Sequence, residues 1–277
     1  MNIKIPTEEY DNIAKLYEDH TETSIAKIYN VHAKTIGEII KKLKIGKGHR
    51  IYSVDETYFE KIDSLEKAYI FGLYCSDGNV ERKFSSLKIS LVESDKSAIE
   101  YIAKSLKCKS KIKIVYREKP RKNSALLAIC SHKICEDLNR LGCVPAKSLI
   151  IKFPKLSNND ITWAFIMGYF DGNGSICCKK NSMSGFKMSI TSSIDFCNGL
   201  KEFLDDNDIK SSISYYKKSL HNADIRLHSS DAIKFGFNIY KNAPFFLERK
   251  KKKLIEIINY RKNSNRANDD KQYYEIS

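Results

Sequence analysis

Two stretches of this chain, KAYIFGLYCSDGNV at 67–80 and WAFIMGYFDGNGSI at 163–176, carry the residues best placed for chemistry. Wound as helices, both are apolar nearly all round, which predicts burial, and both carry small residues four apart on one face: Gly72 and Ser76, Gly168 and Gly172. Little side chain would separate two such helices, so they can approach closely and bring the residues at their C-terminal ends together. Acidic groups placed there would share one site. Other chemistries lack their signatures. No GxxxxGK[ST] loop, GxSxG elbow or HExxH helix occurs, and the six histidines show no ligand spacing, so no small-molecule cofactor is implied. His221 and His228, seven apart, suit surface or groove positions better than a metal site.

The elements that must position these ends repeat. Gly72 and Gly168 are displaced by 96 residues, SDKSAIEYIAKSL at 94 matches SSIDFCNGLKEFL at 192, and SHKICEDLNRLG at 131 matches SSDAIKFGFNIYK at 229. Alternating segments lie between the helical blocks: SLKISLV, KIKIVYR, KMSIT, SISYYKK and DIRLH each set apolar against polar residues with a period of two. Each repeat therefore reads αββαββα, with an antiparallel sheet that buries one face under its helices and exposes a face carrying Lys, Arg and Ser. Before the repeats, residues 7 to 45 read as three short helices, with Ile25, Ile28, Val31, Ile36, Ile39, Ile40 and Leu43 at helical spacing. This is a helix-turn-helix pattern in which Ala26 permits close packing and the helix from about Lys34 meets a major groove; a module that touches protein is the alternative. The expected divisions are 1–47 for that module, 48–62 for a linker, 63–158 and 159–263 for the repeats, and 264–277 for a tail.

Composition agrees with a polyanion partner. Lys and Arg number 48 against 34 Asp and Glu, a net charge of +14, and 42% hydrophobic residues exclude a disordered polar chain. The eight cysteines form no CxxC pair and read as reduced packing residues, Cys177 and Cys178 pointing to opposite sides of a strand. No signal peptide starts the chain and no run approaches the roughly 18 apolar residues of a membrane span, so a soluble intracellular protein is expected, and two unlike repeats in one chain make it a monomer.

The paired stretches and the order of elements around them resemble the LAGLIDADG homing endonucleases over about residues 56 to 262. The resemblance implies an α+β fold of two αββαββα repeats in pseudo-twofold arrangement, preceded here by the small all-α helix-turn-helix. It implies Mg²⁺-dependent hydrolysis of double-stranded DNA, with Mn²⁺ or Ca²⁺ as substitutes in binding. Asp77 occupies the family's metal-binding position. The second copy departs: the equivalent position is Asn173, whereas Asp171 matches the first Asp of the motif, as Cys75 does in the first copy. A neutral amide at that half-site predicts weaker metal binding and slow or absent cleavage of one strand. The resemblance also implies a basic residue near the scissile phosphates after the third helix of each repeat, which Lys147 and Lys250 match; Lys250 alternatively opens a solvated lysine run.

The same resemblance, with the cationic residues themselves, nominates DNA contacts at Lys34 and Thr35 in the helix-turn-helix. In the first repeat these are Arg82, Lys83, Lys88, Lys111, Lys113, Arg117, Lys119 and Arg121, and in the second Lys179, Lys180, Lys187, Lys217, Lys218, Arg226 and His228. Such proteins are encoded as free-standing genes or within introns or inteins, and the lack of splicing-domain sequence favours the first two. A non-cleaving DNA binder and an RNA maturase remain the alternatives on this scaffold.

Overall fold

The computed structural model describes residues 5–45, 54–83, 86–179, 182–216, 220–262 and 271–275. The chain divides into two compact units, residues 1–54 with 107–110, and residues 55–106 with 111–277.

In the first unit, helices α1 (Tyr10–Asp19), α2 (Glu22–Ile28) and α3 (Ala33–Lys42) enclose Ile13, Tyr17, Ile25, Ala26, Ile36, Ile39 and Ile40. Thr21 caps α2 by accepting from the Ser24 N–H, and His32 caps α3 by accepting at Nδ1 from the Lys34 N–H. Ala26 is buried, as close packing of α2 on α3 requires. Ile28, which fits the same helical spacing, is instead 58% exposed at the end of α2.

The second unit holds both repeats. The first runs α4 (Leu65–Asp77), β1 (Gly78–Val80), β2 (Leu87–Val92), α5 (Lys96–Ser105), β3 (Lys113–Val115), β4 (Ser124–Ile129) and α6 (His132–Arg140). The second runs α7 (Asn159–Asn173), β5 (Gly174–Lys179), β6 (Ser182–Ser193), α8 (Ile194–Asp206), β7 (Ser212–Tyr215), β8 (Asn222–His228) and α9 (Ser229–Lys241). A further helix, α10 (Glu248–Lys262), follows. The sheets are antiparallel with equivalent orders, β1-β2-β4-β3 and β5-β6-β8-β7. Leu87, Ile89, Leu127 and Ile129 in one sheet, and Met188, Ile190, Ile225 and Leu227 in the other, are buried beneath the helices.

Helices α4 and α7 start on side-chain caps, Ser64 accepting from the Lys67 N–H and Asn158 from the Ile161 N–H. Both run into a strand without an intervening loop, at Gly78 and Gly174. Between them lies the most extensive helix contact among the described residues. A methyl group on Gly72 would stand 2.2 Å from the Phe165 carbonyl oxygen, and one on Gly168 only 1.9 Å from that of Tyr69. Backbone meets backbone here, so neither neighbour can swing aside.

Two segments outside the repeats are more built than their sequence suggests. Residues 55–62, which read as linker, bury Tyr58, Phe59 and Ile62; Phe59 packs edge-on to Tyr74, and Arg140 donates to the carbonyls of Phe59 and Glu60. Aromatic side chains outweigh the loss of helical periodicity. In the tail, Tyr273 packs edge-on to Phe237 and Tyr274 is buried.

Gly72→Ala and Gly168→Ala should each lower stability by about 3 kcal/mol or more, the upper end of overpacking costs. Urea denaturation would show this as a lower midpoint with an unchanged slope.

Candidate active site and nucleic-acid interface

The close approach of α4 and α7 decides what meets at their C-terminal ends. A methyl group on Gly172 would lie 2.1 Å from Ser76 Oγ and 2.4 Å from Asp77 Oδ2, so the Asp77 carboxylate rests directly against the backbone of the other repeat. Asn173 is the next residue, partly exposed, its Nδ2 donating to the Tyr169 hydroxyl at 3.3 Å. Asp77 is exposed although protein crowds around it. That crowding pushes its pKa up, against the pull of Lys250, Lys147 and Arg249.

Lys147 and Lys250 are buried beside this site. Lys147 Nζ donates to the Gly78 carbonyl. Lys250 Nζ donates to the carbonyls of Phe170, Asp171 and Gly174, the last two at 2.8 and 2.7 Å, and lies over the Phe170 ring. Each ammonium thus satisfies carbonyls where its repeat's long helix gives way to a strand, the negative end of that helix's dipole. The solvated-start reading holds for Lys252 and Lys253, which are exposed, but not for Lys250. Burial lowers the Lys250 pKa to about 8 against the opposing attraction of Asp171.

Four residues to which the sequence assigned no role here, Asp171, Tyr69, Arg249 and Asp95, are drawn in as well. Asp171 is buried; its Oδ2 accepts from the Tyr69 hydroxyl at 2.8 Å and from the Leu247 N–H at 2.9 Å, while its buried Oδ1 has no partner among the described residues. Burial raises its pKa to about 7, with Lys250 and the Tyr69 hydrogen bond opposing. At the positions displaced by 96 residues, the Tyr69–Asp171 pair is replaced by Phe165 and Cys75, so donor and carboxylate are absent together. Arg249, at the start of α10, grips Asp95 of the first repeat through Nε and Nη2 at 2.8 to 3.1 Å, joining the repeats beside Asp77. Nothing in the lysine-rich run at 249–253 marks which of its cations turn inward.

The solved structure of the homing endonuclease I-WcaI bound to its DNA recognition sequence is similar, with a TM-score of 0.51 over 77% of this chain and 96% of that one at 14% identity. This chain has the LAGLIDADG endonuclease fold. The LAGLIDADG homing endonuclease I-LtrWI, bound to target DNA, aligns over 76% of this chain and 94% of its own, with a TM-score of 0.49 and 14% identity. No protein-family model matches the chain, and no curated protein matches it in sequence.

On the LAGLIDADG sheets, cations cluster at loops more than on strands. Arg82 and Lys83 are exposed between β1 and β2, as are Arg117, Lys119 and Arg121 between β3 and β4; Lys111 is exposed just before β3. On the strands, Lys113 is exposed, Lys187 is half-buried and His228 exposed, and Lys88 pairs with Glu81 at 2.9 Å. Strand β4 carries no cation and sets Leu126 and Ala128 on the outer face. Lys179 lies on β5, while Lys180, Lys217 and Lys218 fall outside the described residues. Arg226 is paired with Asp224 at 2.9 Å. In the first unit, Lys34 is exposed and Thr35 half-buried on α3. Cys130 and Cys177 are exposed, so those two are not packing residues.

Lys250→Met should cost about 3 kcal/mol or more, because it leaves three carbonyls without their donor, and Lys147→Met about 1–2 kcal/mol for one. Thermal unfolding would rank them. Asp171, whose folded pKa lies above its unfolded value, contributes stability that is complete near pH 4 and lost as pH rises through about 7. Asp171→Asn should therefore flatten the fall in Tm between pH 5 and 8.

Proposed function

We propose that this chain is a metal-dependent, site-specific DNA endonuclease whose two halves are unequal, so that it nicks one strand faster than it cuts the other. The observation that carries this is the contact of Asp77 Oδ2 with the Gly172 backbone, next in sequence to Asn173, where the ends of α4 and α7 meet. I-WcaI, solved with its DNA recognition sequence, has the same fold and supports DNA as the substrate.

Among the described residues, no three His, Cys, Asp or Glu side chains form a group that could hold a metal ion. A carboxylate and an amide oxygen nevertheless suit Mg²⁺, which is commonly held by one or two carboxylates with substrate phosphates completing its shell. Asp77 would be the principal ligand and Asn173 Oδ1 a weaker one, with Mn²⁺ or Ca²⁺ able to occupy the same oxygens. A bound divalent ion would supply Lewis-acid stabilisation of charge on the phosphate oxygens.

The chain's own groups act around it. Lys147 and Lys250 are committed to helix-end carbonyls, so they fix where Asp77 and Asn173 stand, and their charge favours an ionised Asp77. Arg249 adds a half-exposed cation at the same place. The loop cations nominated above would track the phosphate backbone, and α3, with His32, Lys34, Thr35 and Glu38, would extend the footprint as a helix-turn-helix. Loss of cleavage with retained DNA binding is the second reading, and Asn173 is the observation that favours it.

Digestion of a supercoiled plasmid library of candidate sites with Mg²⁺ tests both. Open circles are expected from the native chain, Asp77→Asn should abolish them, and Asn173→Asp should yield linear DNA. Linear product made equally well by the native chain and Asp77→Asn would overturn the assignment. Tight site-specific binding without cleavage by any version would support the second reading.

A further inference from the structure

Strand β8 carries an arrangement that DNA binding in general does not require. Arg226 lies on the outer face of the second sheet in a row with Ser189 and Ser212, and Asp224 lies in the adjoining row with Thr191 and Ser214. Asp224 is almost wholly enclosed. Its Oδ1 accepts from Thr191 Oγ1 at 2.7 Å and from the Tyr216 hydroxyl at 2.6 Å, and its Oδ2 accepts from Arg226 Nη2 at 2.9 Å. Arg226 Nε is buried without a partner among the described residues, while a third of the side chain stays exposed.

A carboxylate on a face that meets phosphates would weaken binding unless its charge were committed, and here three donors from three places commit it. An arginine that only contacts phosphate gains little from being fixed, since it can reach from many rotamers. Fixing the guanidinium plane matters when the target is itself planar and needs two parallel hydrogen bonds, as the O6 and N7 edge of guanine does in the major groove. Ser189 and Ser212 on either side leave room for a base edge to approach.

The first repeat supplies a comparison within the molecule. Gly78 pairs with Ile89 as Gly174 pairs with Ile190, so β2 and β6 align, and through them Ala128 corresponds to Arg226 and Leu126 to Asp224. Both members of the pair are present in one half, and both are apolar in the other.

We propose that Arg226, held in plane by Asp224, reads a single guanine in the half-site under the second repeat, and that the mirrored position under the first repeat carries no guanine preference. This rests on the DNA-endonuclease reading. Asp224 is the positioning residue, braced by Thr191 and Tyr216.

The test is selection of bound duplexes from a randomised DNA pool by the full chain in Ca²⁺, followed by sequencing, for the native protein, Arg226→Ala, Arg226→Lys, Asp224→Asn and the double variant Arg226→Ala with Asp224→Asn. The double variant leaves no unpaired enclosed carboxylate, so it reports on reading even where Arg226→Ala alone fails to fold. The native chain should recover one position in one half-site where guanine is favoured by about 5- to 150-fold, the range of a good bidentate contact. Arg226→Ala, the double variant and Arg226→Lys should lose that preference while the other positions keep theirs. Asp224→Asn should weaken it and leave total affinity nearly unchanged. Preference unchanged at every position in the double variant, or lowered equally at all of them, would overturn the assignment while leaving sequence-specific binding intact. Selection of no sequence by the native chain would overturn both this assignment and the DNA-binding reading.

Discussion

The contact between the backbones of α4 and α7 is the constraint on which the rest of the second unit depends. It exists because Gly72 and Gly168 present no side chain where each faces a carbonyl of the other helix. The candidate metal-binding position, Asp77, lies at the end of that contact. If the axes moved apart by the width of a methyl group, Asp77 would no longer touch Gly172, and the two helix ends would become separate surfaces. The sheets hang from these helices, so the distance between the helices also sets the spacing of the two outer faces.

Bringing two helix C-termini together concentrates carbonyl dipoles of the same sign in one buried place. The structure meets this with buried cations in place of the more usual glycine in left-handed conformation. Lys147 serves one end and Lys250 the other, each from the segment that follows the third helix of its own repeat. Arg249 then ties the repeats through Asp95. The cations therefore shape the potential around Asp77 while Lys147 and Lys250 stay buried on the carbonyls they satisfy.

Much of this was legible in the sequence because it depends on periodicity. The two αββαββα repeats, the small residues on facing helices and the strand faces follow from patterns with periods of 3.6 and 2, and these survive as long as the core does. The helices of the first unit were readable for the same reason. What could not be read was direction and depth. Lys250 and Lys252 are identical in type and two residues apart, yet one is buried on three carbonyls and the other is exposed. Residues 55–62 lack periodicity but contribute Phe59 to the core, because a single aromatic needs only a pocket and not a pattern. Charge composition overstated the basic character of the strands, since Lys88 and Arg226 have acidic partners and β4 has no cation.

The pairing of Tyr69 with Asp171 bears on how the two halves recognise each other. Across the helix contact the hydroxyl of one repeat meets the carboxylate of the other, whereas the mirrored positions hold Phe165 and Cys75. If two copies of the first half were to associate, each tyrosine would face a thiol. Two copies of the second half would enclose a carboxylate against a phenyl ring, a group with no hydrogen to offer. Each half is thus selective for its counterpart and disfavours itself, much as complementary polar residues specify a heterodimeric coiled coil. Joining the two in one polypeptide secures that choice at high effective concentration, and the same pair would favour correct reassembly if the halves were made as separate chains.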